Sequence, residues 1–254
     1  MKYAIDVGPF DELADPRVLA ELAAAAEERG WDGFFLWDHI VHRPPVQAVA
    51  DPWIALAAVA AATSRIRIGP MVTPVSRRRV HKLARETVTL DLLSDGRLIF
   101  GAGLGYDVSR EFTPFGEVEH ARERAKLLDA GLEELAGYWA GEFQPAPVQQ
   151  PRIPVWIAGE WPNRRPLRRA LRWDGYVPIS VPDPDAMAEL VTQIRAARPA
   201  DADQGFDVAA YLPPGEDTAP WALAGATWTL TDLGSHPGLA RVREVIAAGP
   251  PAGV

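Results

Sequence analysis

Short apolar runs and amphipathic segments of helical length alternate eight times along this chain. The apolar runs, which predict strands, cover residues 3–8, 33–39, 65–72, 97–105, 154–159, 174–180, 206–212 and 226–232. The segments that follow them predict helices over 16–29, 52–62, 78–93, 119–140, 163–172, 184–196, 218–224 and 237–248. Strands that are apolar along most of their length are typical of a parallel sheet covered on both faces. Eight such units predict a single-domain (β/α)8 TIM barrel over residues 1–254.

An open, doubly wound parallel sheet is the alternative fold with the same alternation of strands and helices. Many sheets of that kind carry Gly-x-Gly-x-x-Gly after the first strand, and no such motif follows residues 3–8 here. Stretches rich in proline and glycine at 144–154 and 199–205 are expected to be loops within one domain. The pattern therefore favours the barrel.

The predicted helix ends carry their own signals. Asp15, Asp51 and Asp183 each precede a proline, which pairs an N-cap oxygen with a residue suited to the first helical turn. Glycines then stand where a left-handed C-terminal cap is expected, at Gly30, Gly141 and Gly249.

Composition excludes several classes of function. The net charge of −8 argues against nucleic acid as a general partner. No apolar run approaches the ~20 residues that span a bilayer, so no membrane partner is expected. The chain has no cysteine, which excludes disulfides, thiolate metal sites and a cysteine nucleophile. Because the first predicted strand begins almost at once, we expect no signal peptide and a cytoplasmic protein.

The carboxyl ends of the strands are where a barrel of this kind places its active site. These ends are rich in glycine and aromatic residues and poor in charge, as in Gly8-Pro9-Phe10, Trp37-Asp38-His39, Gly103-Leu104-Gly105-Tyr106, Ala158-Gly159-Glu160-Trp161 and Trp228-Thr229. Glycine lets backbone approach a flat ligand closely. The rings of Trp37, Tyr106, Trp161 and Trp228 would line a mostly apolar pocket for a small-molecule substrate.

Other barrel chemistries need residues that the strand ends hardly supply. None of the three lysines lies at a strand end, where a Schiff-base enzyme needs one. His39 is the only histidine at a strand end, so no metal site is expected. Asp38, Asp107 and Glu160 could provide the two opposed carboxylates of a glycosidase, so a carboxylate-based hydrolase stays an alternative.

Two polar motifs are candidates for binding or catalysis. The imidazole of His39 could exchange a proton with a bound ring system beside Asp38, or it could simply hydrogen-bond to loop backbone. Arg77-Arg78-Arg79 precedes a predicted helix, where cations oppose the helix dipole. The run could bind an anionic ligand such as a phosphate, or it could pair with surface carboxylates.

Taken in order, several motifs of the chain resemble those of the luciferase-like flavin-dependent oxidoreductases. The likeness spans roughly residues 1–185 and is strong over 60–175. The motifs are Thr63-Ser64-Arg65-Ile66-Arg67-Ile68-Gly69, Val72-Thr73-Pro74, Lys82-Leu83-Ala84-Arg85-Glu86-Thr87, Leu93-Ser94-Asp95-Gly96-Arg97, Gly101-Ala102-Gly103-Leu104-Gly105, Phe112-Thr113-Pro114-Phe115-Gly116-Glu117, Pro151-Arg152-Ile153-Pro154-Val155-Trp156-Ile157-Ala158-Gly159 and Arg169-Ala170-Leu171-Arg172-Trp173-Asp174-Gly175.

The resemblance implies a (β/α)8 barrel that binds the deazaflavin coenzyme F-420 or, alternatively, FMN at the strand ends. It places the pair Asp38-His39 at the ring system and a non-proline cis peptide bond under the ring at Val72-Thr73. It also implies that backbone around the ribityl and phosphate portion of the cofactor comes from two segments, namely Gly103, Leu104, Gly105 and Tyr106, and Ala158, Gly159, Glu160, Trp161 and Asn163.

The activity implied by the resemblance is hydride transfer between the reduced cofactor and a small organic substrate. His39 is then the candidate acid or base, and Asp38 contacts the ring or orients the imidazole. The chain is short, which leaves little room for a lid that would shield a reactive flavin peroxide from water, and this favours F-420 over an FMN-dependent monooxygenase. A flavin-binding protein without turnover is a further alternative. Relatives often form homodimers through helices on the side of the barrel; the apolar helix at 53–62 would permit this, or it could pack within the barrel's own ring of helices.

Overall fold

The computed structural model describes residues 1–198 and 205–251. Its strands are β1 Lys2–Val7, β2 Gly33–Leu36, β3 Arg67–Pro70, β4 Thr73–Pro74, β5 Phe100–Gly103, β6 Val155–Glu160, β7 Gly175–Ile179, β8 Asp207–Leu212 and β9 Trp228–Asp232. Its α-helices are α1 Pro16–Glu28, α2 Pro52–Ala62, α3 Val80–Leu93, α4 Ala121–Gly137, α5 Arg164–Ala170, α6 Pro184–Ala197, α7 Ala219–Leu223 and α8 Leu239–Ala248. The loop predicted at 199–205 lies, apart from Gly205, outside the described residues.

Neighbouring strands all pair in parallel, in the order β3-β2-β1-β9-β8-β7-β6-β5-β4. β3 and β4 are two parts of one barrel strand, with the cis peptide bond Met71–Val72 between them. The barrel closes where the Ile68 N–H donates to the Arg97 carbonyl (3.1 Å) and the Ile99 N–H donates to the Ile68 carbonyl (2.8 Å). The prediction of a (β/α)8 TIM barrel is confirmed, and the open sheet is wrong.

Two apolar layers hold the barrel together because strand residues alternate between its two faces. On β1, Tyr3, Ile5 and Val7 pack outward against the helices, whereas Ala4 faces the barrel interior. The interior layer consists of Ala4, Phe35, Met71, Ile99, Trp156, Val177, Ala209, Trp228 and Leu230. Large indole rings therefore fill the lower part of the barrel, and only its upper end can hold a ligand.

Trp228 is not part of the rim that the sequence predicted. It is the first residue of β9 and is 1% exposed, with its ring 5.3 Å from that of Trp156. The carboxyl end of this strand is Asp232, four residues later. The predicted strand, 226–232, has the observed carboxyl end, so the error was to place Trp228 and Thr229 at the rim when they lie at the start of the strand.

The predicted helix caps are confirmed at the amino ends. The side chains of Asp15, Asp51 and Asp183 accept hydrogen bonds from backbone N–H groups one turn inside α1, α2 and α6. Gly30, Gly141 and Gly249 have the positive φ angles expected of C-terminal turns. α4 ends earlier than predicted, at Gly137, and a π-turn continues to Glu142.

Three predicted boundaries next to the cavity extend too far. β2 ends at Leu36 and β5 at Gly103, so Asp38 and His39 lie in a loop after β2. α3 begins only at Val80, which leaves Arg77 and Arg78 ahead of the helix. The reason is that these side chains hydrogen-bond to one another across the barrel mouth, as described below, and not to their own elements.

The described residues contain neither a membrane-spanning helix nor a cluster of metal-binding side chains. No helix there has both the length and the apolar composition to cross a bilayer. Histidine and acidic side chains in the same part of the chain form no group of three or more that could bind a metal ion.

Gly69→Ala tests the closure of the barrel. A Cβ at this position would lie 1.9 Å from the Ile99 carbonyl oxygen, which belongs to the backbone and cannot rotate away. We expect the variant to lose about 3 kcal/mol of unfolding free energy in urea, the upper end of the usual cost of overpacking, because the neighbour is rigid backbone. The matched control is Gly238→Ala, whose Cβ would approach no atom closer than 3.7 Å. Equal unfolding curves for both variants would contradict the closure.

Candidate active site

A cavity of about 1,020 Å³ opens at the carboxyl ends of the strands. Of the residues that the sequence proposed for a site, those that line this cavity are Asp38, His39, Val72, Gly103, Leu104, Gly105, Tyr106, Ala158, Gly159, Glu160 and Asn163. The fold thus brings together residues from β2, β4, β5 and β6 and the loops that follow them. This is the location that the barrel architecture predicts for an active site.

Two of the proposed residues do not line the cavity. Thr73 is 0% exposed, and its hydroxyl donates to Asp38 Oδ2 (2.7 Å) below the cavity surface. Trp161 faces a separate cavity of about 310 Å³ beside α5 and α6 and packs against the outer apolar layer. Its N–H still bonds to the Ile179 carbonyl (2.9 Å), so the side chain follows the alternation of the sheet and points outward.

One wall of the cavity is made of small residues. A Cβ on Gly103 would lie 2.6 Å from Val72 Cγ2 and 3.9 Å from the Cβ of Ala158. Because Gly103 has no side chain, Val72 packs directly on its backbone, and Val72, Gly103 and Ala158 line a slot of the cavity with small apolar groups. The cis peptide bond next to this slot joins Met71 to Val72 and not Val72 to Thr73, one residue earlier than the family resemblance implied.

Asp38 is fully paired beneath the mouth of the cavity. Its Oδ1 accepts from Arg77 Nη2 (2.8 Å), and Arg78 Nη2 lies 2.8 Å from both of its oxygens. Burial opposes ionisation, but the charges of Arg78 and Arg77 and the hydrogen bond from Thr73 hold the pKa of Asp38 below its usual value. Arg77 and Arg78 are therefore neither surface residues nor a free anion site, because they neutralise buried carboxylates, whereas Arg79 is exposed.

The partner of His39 is Glu111 and not Asp38. The Nδ1 atom of His39 lies 2.6 Å from Glu111 Oε1, while Glu111 Oε2 accepts from Arg77 Nη1 (2.7 Å) and the Ile40 N–H (3.0 Å). Burial raises the pKa of Glu111, but the His39 hydrogen bond and these other contacts hold it below its ordinary value. With Nδ1 engaged, the imidazole has Nε2 left for a ligand.

Glu111 is the functional residue that sequence reasoning missed. It lies in the loop after β5, separated by 72 residues from His39, and its side chain is 2% exposed. The only indication is charge compensation. If Arg77 and Arg78 are buried, they require two carboxylates, and Asp38 supplies one. Which acidic residue supplies the other depends on how the loop folds.

The loop that carries Glu111 is held by a buried arginine. Arg124 of α4 donates to the carbonyls of Leu104 (3.1 Å) and Val118 (3.2 Å), and its guanidinium lies 4.5 Å from the Phe112 ring. Asp107 accepts from the Phe112 N–H (2.9 Å) and the Thr113 hydroxyl (2.6 Å). Asp107 and Asp38 both have structural partners, so neither is the free carboxylate that a hydrolase mechanism requires.

Comparison with known proteins agrees with this architecture. A family model for luciferase-like monooxygenases matches residues 4–217. An F-420-dependent glucose-6-phosphate dehydrogenase of Microbacterium testaceum is 29% identical over 195 residues, which are 70% of this chain and 57% of that protein. An uncharacterised protein of Mycobacterium tuberculosis is 31% identical over 268 residues, with 91% of each chain covered.

A solved structure shows the same fold. The coenzyme F-420-dependent tetrahydromethanopterin reductase of Methanopyrus kandleri superposes with a TM-score of 0.69 at 17% identity, covering 96% of this chain and 97% of that one. The chain belongs to the luciferase-like monooxygenase family, and the resemblance noted in its sequence is confirmed. It spans little more than half the length of the Microbacterium dehydrogenase.

Asp38→Ala tests the buried charge network. The change leaves Arg77, whose side chain is 1% exposed, and Arg78 without one of their two counter-charges. We expect a loss of about 3 kcal/mol of unfolding free energy, because removing one partner of a buried ion pair strands the other charge. The loss of unfolding free energy is measured by urea unfolding. Arg17→Ala, which removes a pair with an 88% exposed arginine, should leave the curve unchanged. A loss equally small for Asp38→Ala would show that the network is dispensable.

Proposed function

We propose that this protein is an oxidoreductase that transfers a hydride between coenzyme F-420 and a small organic substrate. The observation that carries the proposal is the position of the His39–Glu111 pair beside the slot between Val72, Gly103 and Ala158. A flat ring needs such a slot, and a reaction at that ring needs a group that can handle a proton. The F-420-dependent activity named for the Microbacterium relative supports the choice of cofactor.

The residues of the slot fit a planar deazaflavin or flavin. Val72, Gly103 and Ala158 line the slot with small apolar groups, and a larger side chain at Gly103 would collide with Val72. Leu104, Gly105 and Tyr106 continue this wall, and Gly159, Glu160 and Asn163 are proposed to contact the rest of the cofactor. When bound, the cofactor would supply the ring that accepts or donates the hydride. Trp161 is left out of the proposed contacts because it faces another cavity.

His39 is proposed as the catalytic acid or base. Glu111 holds Nδ1, so the imidazole is oriented with Nε2 available to take a proton from a substrate hydroxyl or to return it. Arg77 and the Ile40 N–H hold Glu111 in turn. Asp38 binds Arg77 and Arg78 and so holds them beneath the His39–Glu111 pair. It is proposed as a positioning residue that also borders the cofactor.

An FMN-dependent monooxygenase is the second candidate, because the family model that matches carries that activity in its name. The same slot accepts either ring. The short loops at the cavity mouth favour F-420, since Tyr106 is 70% exposed and no long segment covers it in the described chain.

Cofactor titration tests the proposal. We expect purified protein to bind F-420 at micromolar concentration, followed by its absorbance and fluorescence, and to bind FMN more weakly. Gly103→Leu should weaken binding of F-420 more than tenfold, because the side chain fills the slot. Gly238→Leu, at an exposed position outside the cavity, should bind like the unchanged protein.

Three outcomes of this titration count against the proposal. Micromolar binding of FMN without binding of F-420 would favour the monooxygenase. Equal binding by the two leucine variants would show that the ring lies elsewhere. A cofactor that is reduced but is never reoxidised by any acceptor would identify a flavin-binding protein without turnover.

A homodimer through α2 is also proposed. Trp53, Leu56 and Val59 pack inside the chain's own ring of helices, whereas Ile54 on the same helix is 68% exposed. We expect a dimer in sedimentation velocity at micromolar concentration and a monomer for Ile54→Glu. Leu223→Glu, at an 86% exposed residue of α7, should leave the dimer intact. A monomeric unchanged protein would overturn the proposal.

The remaining proposals concern location and other partners. The net charge of −8 supports the proposal that this protein does not bind nucleic acid. A cytoplasmic location is proposed because a chain without cysteine forms none of the disulfides that are typical of proteins in oxidising compartments.

A further inference from the structure

The cavity has a second wall with a different chemistry. In barrel order, β1, β9 and β8 lie across from the strands that carry Val72, Gly103 and Ala158. From this side, Tyr211 of β8 and Asp232 of β9 line the cavity together with Trp37, which follows β2. A flat cofactor in the slot would therefore turn its free face toward these polar side chains.

Behind this second wall lies a buried carboxyl group that the proposed mechanism does not use. Asp6 of β1 is 1% exposed and stands in register with Asp232. It is two residues beyond Ala4, so it faces the barrel interior one layer above the apolar floor. Its Oδ2 accepts from Trp37 Nε1 (2.9 Å), whereas its Oδ1 is buried with no hydrogen-bond partner in the described chain.

The groups that face Asp6 are Trp37, Tyr211 and Asp232. Burial raises the pKa of Asp6 to about 7, against the lowering effect of the hydrogen bond from Trp37 and of the neighbouring Tyr211 hydroxyl, and the charge of Asp232 raises it further. Burial and the neighbouring Asp6 raise the pKa of Tyr211, so its hydroxyl keeps its proton. Among the described residues no basic side chain pairs with Asp6, so this carboxyl costs stability when it ionises.

Depending on the protonation of Asp6, the Tyr211 hydroxyl can offer a ligand either a hydrogen-bond acceptor or a hydrogen-bond donor. An ionised Asp6 only accepts, so Tyr211 donates its proton to Asp6 and offers lone pairs to the cavity. A protonated Asp6 can donate from Oδ1 to the Tyr211 oxygen, and Tyr211 then donates its own proton toward the cavity. The first arrangement accepts from an alcohol but offers no proton to a carbonyl, which only accepts, whereas the second can donate to either oxygen.

We propose that the Tyr211 hydroxyl, backed by Asp6, binds the oxygen of an uncharged alcohol or carbonyl substrate, and that Asp6 decides whether this hydroxyl can donate to a carbonyl. Tyr211 is the contact residue and Asp6 is a positioning residue. This inference rests on the proposed function, because alcohol and carbonyl are the two redox states that a hydride transfer interconverts.

The charges around the cavity agree with an uncharged substrate. Among the described lining residues the only arginine is Arg124, which already donates to the backbone carbonyls of Leu104, Val118 and Glu119. A phosphate or carboxylate on the substrate would instead meet Asp232 and Asp6 without a counter-charge. The second wall therefore disfavours anionic substrates.

The test uses cyclohexanol and cyclohexanone as a pair of equal size, with binding to the cofactor-free protein measured by saturation-transfer NMR at pH 5.5 and 8.5. We expect the affinity for the ketone to fall with pH by about threefold to tenfold, as for one hydrogen bond, and that for the alcohol to change much less, because it can donate or accept. Asp6→Asn should remove the fall in ketone affinity. Tyr211→Phe should weaken both ligands and remove the fall in ketone affinity.

Two controls separate Asp6 from other groups. His39→Gln keeps Asp6 and should keep the fall in ketone affinity with pH, whereas loss of that fall in this variant would assign it to His39 and overturn the proposal. Tyr138→Phe, on an exposed tyrosine bonded to Glu134, should behave like the unchanged protein. Affinities that do not change with pH in the unchanged protein would also overturn it, whether or not Tyr211→Phe folds.

The ionisation of Asp6 has a readout that needs no ligand. Its pKa is raised in the folded state from 3.8 to about 7, so the folded protein binds this proton more tightly than the unfolded chain. The unfolding free energy should therefore decrease as pH rises from about 4 to 7, and Asp6→Asn should reduce that decrease. An unchanged pH dependence in Asp6→Asn would show that Asp6 does not titrate there and would overturn the proposal.

The two proposals fail separately. If neither F-420 nor FMN binds but the ketone affinity falls with pH while that of the alcohol hardly changes, the redox function is wrong and the Tyr211 subsite stands. If F-420 binds and this fall is absent, the subsite is wrong and the redox function stands.

Discussion

Compensation of charge under the cavity mouth is the constraint on which the site depends. Asp38, Glu111, Arg77 and Arg78 are brought out of water together, and two carboxylates balance two guanidinium groups. Removing charges from water is expensive, and the geometry is favourable only if every charge has its partners. The loop after β2, the turn after β4 and the loop after β5 must therefore fold as one unit. His39 is oriented because Glu111 is part of that unit.

The two walls of the cavity contribute different features: one provides a surface of backbone and small apolar groups, and the other provides polar side chains. Val72, Gly103 and Ala158 line a slot for a flat ring. Across from it, Tyr211, Trp37 and Asp6 place polar atoms where a substrate would meet the ring. The apolar layer below, with Trp156 and Trp228, closes the barrel and keeps both walls at the upper end. Shape on one side and hydrogen bonding on the other fit the proposed hydride transfer.

Much of the fold followed from short-range patterns. The alternation of apolar runs and amphipathic segments predicted the barrel, and aspartate-proline pairs such as Asp15-Pro16 placed helix starts correctly. The end of β9 at Asp232 was predicted correctly, but β2 ends three residues before His39 and β5 ends two residues before Gly105. Hydrophobicity alone does not show where pairing stops, because loop residues after a strand can continue its apolar pattern.

The sequence by itself determined the family, the fold and the edge of the barrel where the cavity lies, because these depend on periodicity, caps and contiguous motifs. Only the tertiary structure decided that His39 pairs with Glu111 and that Arg77 neutralises Asp38, across separations of 72 and 39 residues. It also decided that Trp161 faces outward and that Asp6 lies behind Tyr211. Such pairings depend on which side chains meet once the barrel has closed, and no local pattern encodes that distance.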